Sequence, residues 1–352
     1  MKGMALTIVE KSAVTGGVDT HADEHVAAAL NHIGGLLGTK SFPTTPPGYA
    51  RLLAWLRSFG TVAVVGVEGT GSYGAGLSRH LSAAGVRVVE VDRSDRQDRH
   101  RSGKSDPLDA ESAARAALSG KAKGTPRGRD GTVEAIRALM VAKRSARGER
   151  TRSINQARSL VVTGPDDLRA RFERHSTDAL ATELAVLRPR PGDTVGYATR
   201  IALRELGRRA EYLAAQIDYL DRLLLPLIEL QAPSLLEMYG AGPHVAAILV
   251  IAAGDHPDRL RSEAAWAHLC GAAPIPANSG KTTGRFRLNP GGDRQANHAL
   301  WRIVFTRLGS HQPTQLYVER RLKEGKTKTE IIRCLKRYVA REVYHHLLRT
   351  AD

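Results

Sequence analysis

The chain has 352 residues, of which 42% are hydrophobic and 25% charged, and a formal net charge of +16. This length and composition exclude a wholly disordered chain and predict two domains joined by a connector. Two cysteines without zinc-type spacing, Cys270 and Cys334, exclude a disulfide framework. We find no signal-peptide pattern and no apolar run long enough to span a bilayer, so we expect a cytoplasmic protein, bacterial and nucleoid-associated, without membrane association.

The positive charge is concentrated in two blocks of the sequence. Residues 91–160 carry a net charge of +8 and residues 241–352 a net charge of +9, whereas residues 1–90 and 161–240 carry +1 and −2. A general bias of the genome toward arginine would spread the excess evenly. Because each neutralised phosphate releases counterions, the clustering predicts a nucleic-acid partner.

Strands and helices are predicted to alternate over the first 120 residues. Apolar spacing and turn residues predict two short strands around a polar turn at 14–32, a helix at 49–59, a buried strand at 61–68, a helix at 74–85, a buried strand at 86–92 and a helix at 105–120. Ser105 or Asp106 can cap the last helix, and Pro107 suits its first turn. This alternation is typical of an α/β domain.

A heptad of apolar residues follows an arginine-rich helix predicted at 130–160. Its two seams are Leu203, Ala210, Ile217 and Leu224, and Leu206, Leu213, Leu220 and Leu227. Four repeats favour a coiled coil and a contact between protomers, but a helix hairpin within one chain explains them equally well. The remaining region, 238–352, is predicted to be helical and basic, and its Gly/Pro loop leading into an apolar helix resembles a helix-hairpin-helix.

Four acidic residues of the first region are expected at one edge of the sheet. Asp19 lies in the first strand, Glu68 ends a buried strand, and Asp106 and Asp109 share one face of a helix start. Taken singly, Asp19 could be a turn residue, Asp106 a helix cap and Asp109 a surface charge. Glu68 is harder to explain in this way, because a carboxylate that ends an apolar strand needs a partner or exposure. Together their oxygen ligands suit Mg²⁺ or Mn²⁺. The nearby His21, His25 and His80 could also be ligands, but we interpret them as surface or turn histidines.

The motifs GVDTHAD, VGVEGTGSYG and GKSDPLDAESAARA, which contain these four acids, resemble the DEDD-type insertion-sequence transposases. That family includes the Piv-like DNA invertases and the bridge-RNA-guided recombinases. The C-terminal half is similar to the same family through YGAGPHVAAILVIAAGD and AAWAHLCGAAPIPANSGKTTGRFRLNPGGDRQANHALW. The resemblance therefore covers nearly the whole chain in the expected order.

The resemblance implies a ribonuclease-H-like (RuvC-like) metal-binding domain at 1–125, a helical coiled-coil linker at 126–236, and a mainly helical transposase domain at 237–352. It implies that Ser279 is the nucleophile of a composite site with the four acids. Many relatives have two serines followed by two glycines, whereas this chain has Asn278-Ser279-Gly280-Lys281. The resemblance also implies an element-encoded guide RNA and a homo-oligomer, a dimer or tetramer.

Basic side chains near Ser279 and in the last helix are predicted to bind nucleic acid. The candidate contacts are Lys281, Arg285, Arg287, Arg294, Lys336 and Arg337. The last helix also carries Lys326, Lys328, Arg333 and Arg341, with a merely solvated face as the alternative. Since only 5% of residues are aromatic, we expect contacts to the phosphate backbone to dominate over base stacking.

These observations predict a transposase that recombines element ends and target DNA by phosphoryl transfer, with Ser279 and Mg²⁺ or Mn²⁺ held by Asp19, Glu68, Asp106 and Asp109. One alternative is a metal-dependent nuclease similar to a Holliday-junction resolvase, which uses water and has no need of the second signature region. The other is an architectural nucleic-acid-binding protein, which leaves the four acids unexplained.

Overall fold

The computed structural model describes residues 13–91, 105–122, 124–126, 128, 131–189, 192–254, 260–276, 278, 286–289 and 291–348. The chain divides into two compact units, Met1–Arg129 and Asp130–Asp352. Among the helices described, none is long and apolar enough to cross a membrane.

The first unit contains a five-stranded sheet of order β3-β2-β1-β4-β5. Its strands are β1 (Ala13–Thr20), β2 (Glu24–Leu30), β3 (Leu36–Pro43), β4 (Thr61–Glu68) and β5 (Val88–Val91). β1 pairs antiparallel with β2 and parallel with β4, which pairs parallel with β5. Four of these strands follow the sequence prediction. β3 was not predicted, because this edge strand is largely exposed and its residues lack a clear apolar alternation.

In the described part of this unit, three helices cover the two faces of the sheet: α1 (Pro46–Arg57), α2 (Ala75–Ala83) and α3 (Asp106–Leu118). Alternate residues of β2 point to opposite faces, as strand geometry requires. Ala27 and Ala29 join the core formed with α1 and α2, whereas Val26 and Ala28 pack toward Ala110 of α3. The predicted α/β class is confirmed for this unit; its RuvC-like character stays a prediction.

Glycines in the sheet allow α3 to lie unusually close to it. A Cβ atom on Gly17 of β1 would be 2.1 Å from the backbone nitrogen of Ala114, and one on Gly66 of β4 would be 2.6 Å from the carbonyl oxygen of Ala113. The facing helix residues are themselves small and buried alanines. Backbone meets backbone here, so neither side can yield without moving the helix.

Gly17→Ala is expected to lower the free energy of unfolding by about 3 kcal/mol, since overpacking against backbone has no cheap relaxation. Urea unfolding measures this directly. Gly38→Ala is the matched control, because a Cβ on this β3 glycine has ordinary contacts of 3.6 Å and 3.7 Å. We expect that control to lie within about 1 kcal/mol of wild type. Equal losses in both variants would refute the close approach.

The second unit is almost entirely helical. Its helices are α4 (Thr132–Thr163), α5 (Asp166–Phe172), α6 (Thr177–Ala185), α7 (Thr194–Gln231), α8 (Pro233–Glu237), α9 (Pro243–Ala253), α10 (Glu263–Leu269), α11 (Arg294–Ser310), α12 (Gln312–Lys323) and α13 (Lys328–Leu348). The strands β6 (Pro274–Pro276) and β7 (Phe286–Leu288) form an antiparallel pair. The predicted largely helical second part is thus confirmed.

The heptad residues of α7 pack within the chain. Ion pairs Arg209–Glu149 and Lys143–Asp221 show that α4 and α7 run antiparallel. Five of the eight heptad side chains are buried and three are partly buried, namely Leu206, Ile217 and Leu227. The hairpin within one chain, left open by the sequence, therefore accounts for the heptad. The heptad therefore no longer supports a contact between protomers.

The apolar helix α9 lies in the core of this unit rather than at its surface. Seven of its residues are buried, and α11 and α13 pack in the same cluster. Arg307 of α11 stabilises this region by donating two hydrogen bonds, of 2.7 Å and 2.8 Å, to the Glu342 carboxylate of α13. The expected phosphate contact at the start of α9 stays a prediction.

Candidate active site

Asp19 and Glu68 are at the ends of neighbouring parallel strands. Val18 of β1 is in register with Val67 of β4, so the next residue of each strand is one of the two acids. The Thr20 hydroxyl donates a 2.8 Å hydrogen bond to the Glu68 carbonyl oxygen and joins the two strand ends. This is the carboxyl edge of the parallel part of the sheet, where α/β proteins usually bind ligands.

Helix α3 begins at the same edge and brings a second aspartate to Asp19. Asp106 is the first residue of α3. The His21 Nε2 atom lies 3.1 Å from Asp19 Oδ2 and 3.6 Å from Asp106 Oδ1. One ligand atom from each of these three residues lies within 4.8 Å of the others. The close packing of α3 on Gly17 holds this arrangement in place.

Burial and like charges act together on Asp19, which is only 7% exposed. Burial raises the pKa of the Asp19 carboxyl, and the negative charges of Asp109 and Asp106 raise it further, while His21 lowers it. An ionised Asp19 is therefore costly unless positive charge is nearby. The site thus favours a cation when all three aspartates are ionised.

The residues at this edge fit a divalent metal ion. Two carboxylates and one imidazole nitrogen lie close enough to share an ion. Burial, together with the charges of Asp109 and Asp106, raises the pKa of Asp19, so a bound cation would stabilise its ionised form. Carboxylate oxygens suit Mg²⁺ and Mn²⁺, and an added imidazole nitrogen is better tolerated by Mn²⁺. Asp109, one turn along α3, and Glu68, at the neighbouring strand end, could add ligands.

The interpretation of the three histidines as surface or turn residues is confirmed only in part. His21 lies in a turn, but it contacts the two aspartates. His25 is fully buried in the sheet, stacked on the Tyr49 ring at a centroid distance of 5.6 Å. His80 is half-buried on α2 and also packs near Tyr49. The signal for His21 was its position two residues after Asp19, directly where β1 ends.

The burial of His25 predicts a loss of stability at acid pH. Burial lowers the pKa of His25 from 6.5 to about 4, so the folded protein keeps this imidazole neutral while the unfolded chain protonates it. Its contribution to stability is fully present above pH 6.5 and is lost as the pH falls toward 4. Urea unfolding at pH 7.5 and 5 in EDTA should show a smaller pH dependence in His25→Phe than in wild type. An unchanged pH dependence would contradict this.

Two family models match the chain. One, described as a transposase and named for the DEDD transposases of IS110, matches residues 16–163. The other, described as the transposase IS116/IS110/IS902 family, matches residues 232–319. The chain belongs to the IS110-type transposase family. No curated protein matches it. A transposase of this family acts on DNA, in transposition and recombination of an insertion sequence, and the first match contains all four predicted acids.

The second match contains Ser279 of the transposase, which lies outside the described residues, as do Lys281 and Arg285. The described residues on either side of them form β6 and β7, in which Pro276 pairs with Phe286. Asn297 of α11 fixes the preceding segment by donating hydrogen bonds to the Cys270 and Gly271 carbonyl oxygens.

The other basic residues predicted to bind nucleic acid occupy different environments. Arg287 on β7 and Arg294 at the start of α11 are exposed. Arg337 is partly buried and pairs with Glu263. Lys336 departs from the prediction: it is 6% exposed, and its ammonium donates a 2.9 Å hydrogen bond to Asn297 Oδ1. Burial lowers its pKa, and its role in this structure is to support the core.

Proposed function

We propose that this transposase exchanges DNA strands by phosphoryl transfer, using Ser279 as nucleophile and the acids Asp19, Glu68, Asp106 and Asp109 to hold Mg²⁺ or Mn²⁺. The observation that carries the metal-binding part is the cluster of Asp19, His21 and Asp106 at the carboxyl edge of the sheet. The assignment of Ser279 rests on the resemblance of its segment to the family and on the match over residues 232–319.

In the proposed reaction, the Ser279 oxygen attacks a DNA phosphorus atom as the bond from phosphorus to a deoxyribose oxygen breaks. The serine proton leaves to a base or solvent, and the departing deoxyribose oxygen takes up a proton. Attack by a second DNA strand reverses these steps and releases the serine, so phosphodiester bonds are conserved. A bound divalent ion supplies charge neutralisation at the phosphate. The aspartates and His21 position it.

We further propose a RuvC-like domain at 1–125, a helical linker at 126–236 and a transposase domain at 237–352. The strand order β3-β2-β1-β4-β5, with Asp19 one residue before the end of β1 and Glu68 at the end of β4, supports the first assignment. A guide RNA and a dimer or tetramer are proposed from the family resemblance. We propose that Lys281, Arg285, Arg287, Arg294 and Arg337 contact nucleic acid, and we leave out the buried Lys336.

Covalent trapping tests this function. Purified protein is incubated with end-labelled element-end DNA, with and without element-derived RNA, in Mg²⁺ or in EDTA, and resolved on a denaturing gel. We expect a protein–DNA adduct in Mg²⁺ that is absent in EDTA. Cleaved DNA without an adduct would instead establish a water-using nuclease, for which the acidic cluster alone suffices. Retarded but intact DNA in native gels would favour an architectural protein.

A further inference from the structure

A basic cavity of about 630 Å³ lies in the second unit between the β6–β7 hairpin and helices α12 and α13. Cationic side chains dominate its lining. Among the described residues they are Arg287, Arg321, Lys326, Arg333 and Arg337, against the one carboxylate of Glu330. The volume is in the range of small-ligand sites. Such an excess of positive charge favours an anionic ligand.

Not all of this charge is neutralised within the protein. Arg321 pairs with Glu324, and Arg337 pairs with Glu263. In the part of the chain that the structure describes, Arg287, Lys326 and Arg333 form no ion pair, and all three are exposed at the cavity. Hydrogen bonds from Thr327 and the charges of Lys326 and Arg333 lower the pKa of Glu330, so its carboxylate offsets part of the charge of these two cations. The three exposed cations still outnumber this carboxylate and are accessible to a ligand.

Two aromatic rings line the same cavity. Phe286 is 60% exposed and Tyr338 is 52% exposed. The Tyr338 ring is held edge-on by Tyr317, with centroids 5.7 Å apart and an interplanar angle of 83°. An aromatic ring fixed in this way and open to solvent is suited to stack on a planar ligand.

We propose that this cavity binds an unpaired nucleotide of single-stranded DNA. The base stacks on Tyr338 or Phe286, and the adjoining phosphates contact Arg287, Lys326 and Arg333. Aromatic rings combined with free cations are the usual means of binding single strands. A duplex has no free base faces to offer these rings, so the cavity selects an unpaired strand. This inference rests on the proposed function in taking DNA as the ligand.

Fluorescence of 2-aminopurine tests the stacking. A single-stranded DNA oligonucleotide with one central 2-aminopurine is titrated with the full-length protein in EDTA, so that no cleavage occurs. We expect the emission to fall on binding to wild type and to Tyr338→Phe. Tyr338→Ala should bind about ten-fold more weakly, with less quenching. Tyr212→Ala, at an exposed tyrosine on α7, is the matched control and should behave as wild type.

The charge component is tested by salt dependence. Arg333→Gln should weaken binding and reduce the slope of log affinity against log salt by about 0.7, the contribution of one phosphate contact to a single strand. Arg222→Gln, at an exposed arginine of α7, is the control and should leave both unchanged. Arg333→Gln leaves the aromatic packing unchanged. It therefore tests the cavity even if Tyr338→Ala does not fold.

Several outcomes would overturn the proposal. These are wild-type affinity in both Tyr338→Ala and Arg333→Gln, equal losses in the two controls, or equal affinity for duplex and single strand. Binding of the matching RNA strand but not of DNA would assign the cavity to RNA and reject our ligand. Ser279→Ala should bind the oligonucleotide as wild type does. Loss of the covalent adduct therefore tests the proposed function, and loss of oligonucleotide binding tests the proposed cavity, so the two can fail independently.

Discussion

Ser279→Ala is expected to abolish the covalent protein–DNA adduct and to reduce strand exchange below detection. Alanine has no oxygen with which to form the phosphoserine bond, and nothing in the proposed reaction replaces it. Binding of DNA should persist, because the basic side chains that contact phosphate are unchanged. Denaturing gels measure the adduct, native gels measure binding, and a recombination assay on element-end DNA measures the product.

Thr282→Ala provides the matched control, because it removes another hydroxyl from the same segment, three residues further on. This variant should form the adduct at the wild-type rate. An adduct that survives in Ser279→Ala and disappears in Thr282→Ala would transfer the nucleophilic role to the threonine. Cleavage that is unchanged in Ser279→Ala would remove serine chemistry altogether and leave a metal-dependent hydrolysis.

Much of the first unit could be predicted from the sequence, because its strands are short, apolar and bounded by turns. The edge strand β3 could not, since its exposed residues are not constrained by a core. The proximity of Asp19 to Asp106 followed from a general rule about strand and helix ends. The contact of His21 with both did not, because its position two residues after Asp19 does not specify where its side chain points, which depends on the path of β1 into β2.

The second unit shows where local patterns are ambiguous. A heptad specifies that a helix has an apolar seam, but not whether the partner helix belongs to the same chain. Lys336 illustrates a similar limit. A lysine that lies among other cations in the sequence predicts a basic surface. Only the structure shows that this lysine is buried and that its ammonium donates a hydrogen bond to Asn297. The aromatic lining at Phe286 and Tyr338 was likewise hidden by the low overall aromatic content.

The substitution Asp19→Asn is expected to have opposite effects on stability with and without metal. In EDTA it should raise the melting temperature, because it removes a buried charge whose pKa is raised by burial and by Asp109 and Asp106. With Mn²⁺ at one hundred times its dissociation constant, wild type should gain about 2.7 kcal/mol from ion binding, whereas the variant should gain little. DNA cleavage in the variant should fall by about a thousand-fold, or several kcal/mol of transition-state stabilisation.

Asp23→Asn separates this effect from a general change of charge. Asp23 lies in the turn between β1 and β2, is exposed, and is outside the cluster of Asp19, His21 and Asp106. It should show wild-type cleavage and a wild-type response of melting temperature to Mn²⁺. If Asp19→Asn lowered the melting temperature equally in EDTA and in Mn²⁺, Asp19 would be a structural residue. The decisive result is therefore a reversed order of melting temperatures, with Asp19→Asn above wild type in EDTA and below it in Mn²⁺. A residue that only supports the fold cannot destabilise the protein in one buffer and stabilise it in the other.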